Sequence, residues 1–235
     1  MVSIQHQVAV VTGAGRGIGR AIAVELGRLG ARVVLVARGR TGLEETGRII
    51  GPSASVMPAD VRKKEELQSM FEQAAAAFGP VDILVNAAGV GIFGSVVNYS
   101  EEDFAAVMET NLRGIFYTCR FVLPSMIERK KGHIINIASI AGKVGSANRA
   151  VYCASKFGVI GFTESLAEEV RQHGIRASVI CPGSTDSGFS PSNHAGKARD
   201  KMLRPDDIAH AVRTIVTQEP NSFISEIILR PTRKP

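Results

Sequence analysis

The chain contains no tryptophan, and only three tyrosines and three cysteines among its 235 residues. Cys119, Cys153 and Cys181 are odd in number, far apart and never in a C-x-x-C pair, which excludes a disulfide framework and a structural zinc site. They read as small buried residues in a reducing compartment. The five histidines show no ligand spacing, so no metal is expected. No apolar run reaches the ~18 residues of a membrane span, and the polar stretch Met1 to Gln7 lacks a signal-peptide pattern. A cytoplasmic chain with no membrane partner is therefore expected. Basic residues outnumber acidic ones, giving a net charge of +6, yet they are scattered apart from Arg129 to Lys131 and Arg230 to Lys234. Without a basic stripe interleaved with aromatics, no nucleic-acid partner is expected.

What the chain has is alternation. Val8 to Val11, Arg32 to Ala37, Ser55 to Met57, Val81 to Val85, His133 to Ile137, Arg176 to Cys181 and Glu226 to Leu229 read as buried strands. Helical patterns lie between them, including Lys64 to Phe78, a broadly apolar segment from about Glu102 to Glu128, and the stretch after Ala150. This order implies a single α/β domain over residues 1–235, a doubly wound Rossmann-type parallel sheet with helices on both faces. Ligands are then expected at the carboxyl ends of the strands.

Candidate site residues fall at those ends. The first strand breaks into Thr12-Gly13-Ala14-Gly15-Arg16-Gly17-Ile18-Gly19 and a helix follows. Gly13 and Gly17 let the backbone turn and approach a ligand, Gly19 lets the helix pack on the strand, and the helix N-terminus offers N–H groups to a pyrophosphate. About 20 residues on, where an acid would bind the 2′-hydroxyl of NAD, stands Arg38. With Arg16 it would favour a 2′-phosphate, hence NADP. Asp60, followed by Val61, reads either as an acceptor for the adenine amino group or as an N-cap. Asn86-Ala87-Ala88-Gly89 ends the fourth strand, its small residues allowing close approach of the adenine ribose. Asn111 is unusual inside an apolar helix. It is either a satisfied buried amide or a residue that disturbs the helix and holds a water.

Ser139 ends the fifth strand, with Tyr152 thirteen residues later and Lys156 four beyond that, on one helix face. An ammonium beside the phenol is expected to pull its pKa down from ~10.

On T-G-x-x-x-G-I-G at Thr12 to Gly19, D-V at Asp60, N-A-A-G at Asn86, Asn111, Ser139, Y-x-x-x-K at Tyr152 and P-G at Pro182, the chain resembles the short-chain dehydrogenase/reductase family over nearly its whole length. The resemblance implies a seven-stranded parallel sheet, NADP(H) as cofactor, and a homotetramer or homodimer built on the long helices around 102–128 and 150–173. It implies hydride transfer between the nicotinamide and a small-molecule carbonyl or alcohol. Tyr152 would be the general acid, Lys156 its pKa-lowering partner and ribose ligand, Ser139 the group orienting the substrate oxygen, and Asn111 the holder of a relay water. Pro182, Gly183, Thr185 and Ser187 would hold the carboxamide end. Gly15 departs from the serine common in relatives. Ile92, Phe93, Ile140, Val144 and Phe189 would form an apolar substrate pocket, closed by a loop at about 184–203. The C-terminal I-S-E-I-I-L-R-P-T is closer to relatives acting on small carbonyls or hydroxy acids than to 3-oxoacyl-carrier-protein reductases, which remain an alternative. A non-catalytic NADP-sensing protein is a second alternative.

Overall fold

The strand β1, Val8–Thr12, is buried at every residue, as are β4 (Ile83–Asn86) and β5 (Gly132–Ile137). Strands with no solvent-facing side must be covered on both faces, and that is the signature of a parallel α/β sheet. In the computed structural model, which describes residues 2–189 and 198–234, these strands join β2 (Arg32–Val36), β3 (Ala54–Val56), β6 (Ile175–Pro182) and β7 (Glu226–Leu229). The sheet has seven strands in the order β3-β2-β1-β4-β5-β6-β7, and each neighbouring pair is parallel.

Alternation along each strand sorts the core into two layers. Ala9 and Val11 of β1 and Val33 and Leu35 of β2 pack against α1 (Gly17–Arg28), α2 (Arg40–Ile50) and α7 (Pro205–Val216) through Ile22, Leu26, Leu43, Val212 and Ile215. Val8, Val10, Val34 and Val36 face α3 (Lys64–Phe78), α5 (Gly114–Arg129) and α6 (Ala150–Val170) through residues such as Leu67, Val122, Met126 and Val159. The crossover from one half to the other opens a crevice between the carboxyl ends of β1 and β4. Thr12 pins its two sides together, its Oγ1 accepting from the backbone N–H groups of Ala87 and Ala88, both at 3.1 Å.

One element departs from expectation. The helix anticipated from about Glu102 to Glu128 is interrupted: α4 (Glu101–Met108) passes through a π-helical turn at Glu109–Arg113 before α5 begins. Asn111 lies in that widened turn and is completely buried. Ser100 caps α4, accepting from the N–H of Asp103 at 3.0 Å.

Candidate active site

A cavity of about 800 Å³ runs along the carboxyl ends of the strands, from Arg38 and Asp60 at one end to Phe93, Tyr152 and Phe189 at the other. Most residues singled out from the sequence line it: Gly13, Gly15, Arg16, Gly17, Ile18, Gly19, Arg38, Asp60, Val61, Ala87, Gly89, Phe93, Ser139, Ile140, Val144, Tyr152, Lys156, Pro182, Gly183, Thr185, Ser187 and Phe189. Sequence separations of more than a hundred residues collapse onto one sheet edge because each segment directly follows a parallel strand.

The glycine loop is shaped by what it touches. Gly17 opens α1 with φ of 55°, and a Cβ there would sit 2.7 Å from the carbonyl oxygen of Ser187, so any side chain would wedge the loop away from the segment after β6. At Gly19 a Cβ would lie 2.2 Å from the Gly13 carbonyl oxygen, which is why the helix can start so close to the strand. The loop thus presents free helix N–H groups to the cavity. Gly15 gives its carbonyl to Arg20, a side chain that also reaches Thr46 and Glu45 and so ties α1 to α2.

At the far end, Arg16 and Arg38 are exposed cavity-lining guanidiniums, and neither side chain makes a hydrogen bond or ion pair among the described residues. This corner holds two cations, and the Asp60 carboxylate near Arg38 is already engaged by Arg62, so the corner fits a phosphate. Asp60 is occupied by Arg62, which contacts both carboxylate oxygens at 2.6 to 3.1 Å and holds the Asp60 carboxyl below the usual carboxylate range. Its second reading, as an N-cap, does not hold: α3 begins at Lys64 with Lys63 at the cap. Asp60 instead closes a tight turn, accepting from the Arg62 N–H at 3.0 Å.

The catalytic candidates come from three elements. Ser139 leaves β5 and its Oγ accepts from the N–H of Ala141 at 3.1 Å, capping the short turn Ile140–Gly142. The same hydroxyl points its own proton towards the Pro182 carbonyl, at 3.5 Å. Lys156, one turn along α6 from Tyr152, is 4% exposed and donates from Nζ to the Ile137 carbonyl at 2.9 Å. Its ammonium is 5.9 Å from the centre of the Tyr152 ring. Burial pulls the lysine pKa down to about 8. The tyrosine runs opposite to the sequence expectation: burial pushes the Tyr152 phenol up to about 12, and the opposing pull comes from Ser139 and Arg149 rather than from Lys156. Desolvation of the phenolate outweighs every nearby charge, because the ring is walled by Phe93, edge-on at 5.3 Å, and Phe189 at 6.1 Å.

Asn111 shapes this site from behind. Its Oδ1 accepts from the Val90 N–H at 2.8 Å, while Nδ2 donates to the Val90 carbonyl and to Ser155 Oγ, both at 3.0 Å. Ser155 in turn donates to the Tyr152 carbonyl at 2.7 Å. Both amide protons are therefore committed to the protein. A water is left the second lone pair of Oδ1 and the carbonyls of the π-turn. Ser155, within the A-S-K between tyrosine and lysine, was not singled out from the sequence because a buried serine on a helix gives no periodic signal.

Two further candidates lie elsewhere. Asn86 does not face the cavity: it is 2% exposed, its Nδ2 donates to Asn136 Oδ1 at 2.9 Å and its Oδ1 accepts from Thr118 at 2.7 Å. As the last residue of β4 its side chain alternates into the helix-covered layer, while Ala87 and Gly89 turn to the crevice. Ile92 also misses the cavity lining, its backbone carbonyl instead accepting from the Tyr99 hydroxyl at 3.0 Å. The loop expected at about 184–203 lies partly outside the described residues, which omit 190–197; on the described side Thr185 bridges to Leu203. Two cavity-lining cations were missed, Arg149 and Arg230. Each follows or precedes a regular element, where a basic residue reads as ordinary surface charge.

Comparison with known proteins bears on this arrangement. Residues 7–198 match the family model for short chain dehydrogenases. An uncharacterized oxidoreductase of Staphylococcus aureus strain MRSA252 is 36% identical over 232 residues, covering 98% of this chain and all of that protein. One from Staphylococcus epidermidis is 34% identical over 231 residues, with 98% and 100% covered. Among solved structures, a metagenomic short-chain oxidoreductase in complex with NADP superposes with a TM-score of 0.88 at 43% identity, covering 99% of this chain and 100% of that one. A variant of actinorhodin polyketide ketoreductase with NADPH gives a TM-score of 0.90 at 32% identity, covering 98% and 97%. With its seven-stranded parallel sheet, its glycine loop and a family match across most of its length, the chain belongs to the short-chain dehydrogenase family of oxidoreductases.

Proposed function

We propose that the protein is an NADP(H)-dependent carbonyl reductase acting on small molecules, by a mechanism that uses Ser139, Tyr152 and Lys156. The observation that carries this reading is the convergence of those three side chains on the same cavity as the glycine loop and the Arg16–Arg38 corner. The helix N-terminus at Gly17 would hold the pyrophosphate, Arg16 and Arg38 the 2′-phosphate, Asp60 and Val61 the adenine edge, and Thr185 and Ser187 the carboxamide. Bound NADPH would supply the hydride.

Tyr152 then gives its proton to the substrate oxygen. A phenol held near 12 is protonated at neutral pH, the form that a general acid in reduction requires. Ser139 Oγ holds the same oxygen and stabilises charge developing there. Lys156 is positioned by Ile137 to reach a ribose hydroxyl beside the phenol. Asn111 keeps the Val90 segment and the first turn of α6 in register.

A small-carbonyl substrate is favoured over a carrier-protein thioester by the apolar lining that Phe93, Ile140, Val144 and Phe189 give this end of the cavity. Phe104, Phe116 and Phe157 are exposed on α4, α5 and α6, which supports a homodimer or homotetramer through those helices. Three free buried cysteines accord with a reducing cytoplasm, and no helix among the described residues is long and apolar enough to cross a membrane. A non-catalytic NADP sensor is disfavoured by the complete Ser139–Tyr152–Lys156 set.

The test is to mix the protein with NADPH and a panel of ketones, diketones, oxo acids and oxo esters while following cofactor absorbance. Turnover with any of them supports the reading; tight NADPH binding with no turnover across the panel would point to the sensor.

A further inference from the structure

Two arginines bear on one carboxylate at the cofactor end of the cavity. Asp60 follows β3 in the chain, lines the cavity and is 7% exposed. Arg62 turns back over it. Its Nε donates to Oδ1 at 3.1 Å and to Oδ2 at 3.0 Å, and its Nη2 donates to Oδ2 at 2.6 Å. Arg62 does not line the cavity itself. A guanidinium matched to both oxygens of a carboxylate fixes the direction of that group as well as its charge.

The turn beneath this pair has supports of its own. The Arg62 N–H donates to Asp60 Oδ1 at 3.0 Å, the Lys63 N–H to the Asp60 carbonyl at 2.9 Å, and the Asp60 N–H to Glu66 at 2.9 Å. What the Arg62 side chain adds is its hold on Oδ2, which among the described residues accepts from no other group. Two further cations bear on the Asp60 charge. Lys63 is taken by Glu66 at 2.8 Å. Arg38 is exposed, lines the cavity and forms no hydrogen bond or ion pair among the described residues. A carboxylate released by Arg62 would therefore find its new partner in Arg38, where it would compete with a phosphate and repel it.

We propose that Arg62 is a positioning residue that makes the site selective for a 2′-phosphate, by sequestering Asp60 so that Arg38 stays free to bind that phosphate. The inference rests on the assignment of Arg38 to the 2′-phosphate. It adds the reason that a carboxylate so close to Arg38 does not defeat the selectivity.

The experiment measures binding rather than turnover. Adenosine 2′,5′-bisphosphate and adenosine 5′-monophosphate differ only in the 2′-phosphate, so the ratio of their Kd values isolates that group and cancels any contact to adenine. Calorimetric titration gives the ratio for the wild type, Arg62→Gln, Asp60→Asn and the double variant, with urea unfolding run alongside to confirm that each is folded. The wild type is expected to favour the bisphosphate by about 10-fold or more, the effect of a charge-assisted contact. Arg62→Gln should cut that preference by about 3- to 10-fold, the size of a charge interaction partly exposed to water. Adding Asp60→Asn should restore the wild-type ratio, because the competitor is gone. Asp60→Asn alone should keep or raise it. An unchanged ratio in Arg62→Gln overturns the proposal while leaving the Arg38 assignment in place. So does a loss that Asp60→Asn fails to restore, since Arg62 would then act on the phosphate directly or on the fold. A fall in Asp60→Asn alone overturns it as well, and independently of how well the Arg62 variant folds. A wild type that binds the two nucleotides equally brings down the Arg38 assignment and this proposal together.

Discussion

Lys156 holds its ammonium 5.9 Å from the centre of the Tyr152 ring while donating to the Ile137 carbonyl at 2.9 Å. The pair shares a helix face, yet the lysine is anchored to the strand and not to the phenol oxygen. Burial therefore keeps the Tyr152 phenol neutral, against a smaller pull from Ser139. Tyr152→Phe keeps the ring packed between Phe93 and Phe189 and removes only the proton. Turnover with a reducible carbonyl compound is expected to fall by about 10²–10⁴-fold, while the Kd for NADPH, measured by cofactor fluorescence, stays within a few-fold. Near-wild-type turnover would rule out Tyr152 as the acid.

Lys156 should leave a mark on the pH profile. Its pKa is lowered to about 8, so it is charged below that pH and neutral above it. If the charge is needed to position the ribose, reductive kcat/KM is expected to be flat through neutrality and to decline above about pH 8. The check is a kcat/KM profile from pH 6 to 10.5 for wild type and Lys156→Arg, in which the arginine should abolish that alkaline limb.

Arg38 stands where an NAD-selective site would have an acid. Arg38→Asp should weaken NADPH by about 10- to 100-fold, the cost of losing a charge-assisted phosphate contact, and leave NADH nearly unchanged. Equal losses for the two cofactors, read by direct titration, would sink the phosphate-clamp assignment.

The Asn86 side chain predicts a different split between stability and binding. Asn86→Ala leaves Asn136 Oδ1 without its buried donor, while Thr118 Oγ1 keeps the Ile115 carbonyl as its acceptor. Stability is expected to fall by about 1–3 kcal/mol, measured by urea unfolding, with NADPH affinity little changed. A large loss of affinity at intact stability would restore Asn86 to the cofactor site.

His133 should make the protein sensitive to acid. Burial, with Arg176 and Lys131 nearby, lowers its pKa to about 3 from 6.5 in the unfolded chain, and its Nδ1 has no hydrogen-bond partner. The unfolded chain thus binds a proton that the folded one refuses. The stability due to neutral His133 is fully present above pH 6.5 and drains away as pH falls towards 3, at about 1.4 kcal/mol per unit. Comparing urea unfolding of the wild type and His133→Asn from pH 7 to 4 should reveal a stability gap that shifts in favour of the variant as pH drops. A gap independent of pH would mean that His133 is accessible to solvent.

The alternation of strands and helices, the covering of the sheet on both faces and the glycine loop were legible in the linear chain because each rests on local pattern: unbroken apolar runs, the 3.6-residue period, glycine between strand and helix. Lys64–Phe78 came out with its observed ends for that reason. Direction and depth were not legible. Asn86 and Ala87 are neighbours in sequence, but strand alternation sends one into the helix-covered layer and the other to the crevice. The Tyr152–Lys156 spacing suggested a lowered phenol pKa, and desolvation by Phe93 and Phe189, distant in sequence, reversed the sign. The π-turn at Asn111 depends on Val90 and Ser155 meeting one amide from two other segments. Arg149 meets the Phe93 ring only once the fold brings those two segments together. Chemistry of this kind belongs to the packing, since the field and the dielectric at a side chain are made by neighbours that the order of residues does not name.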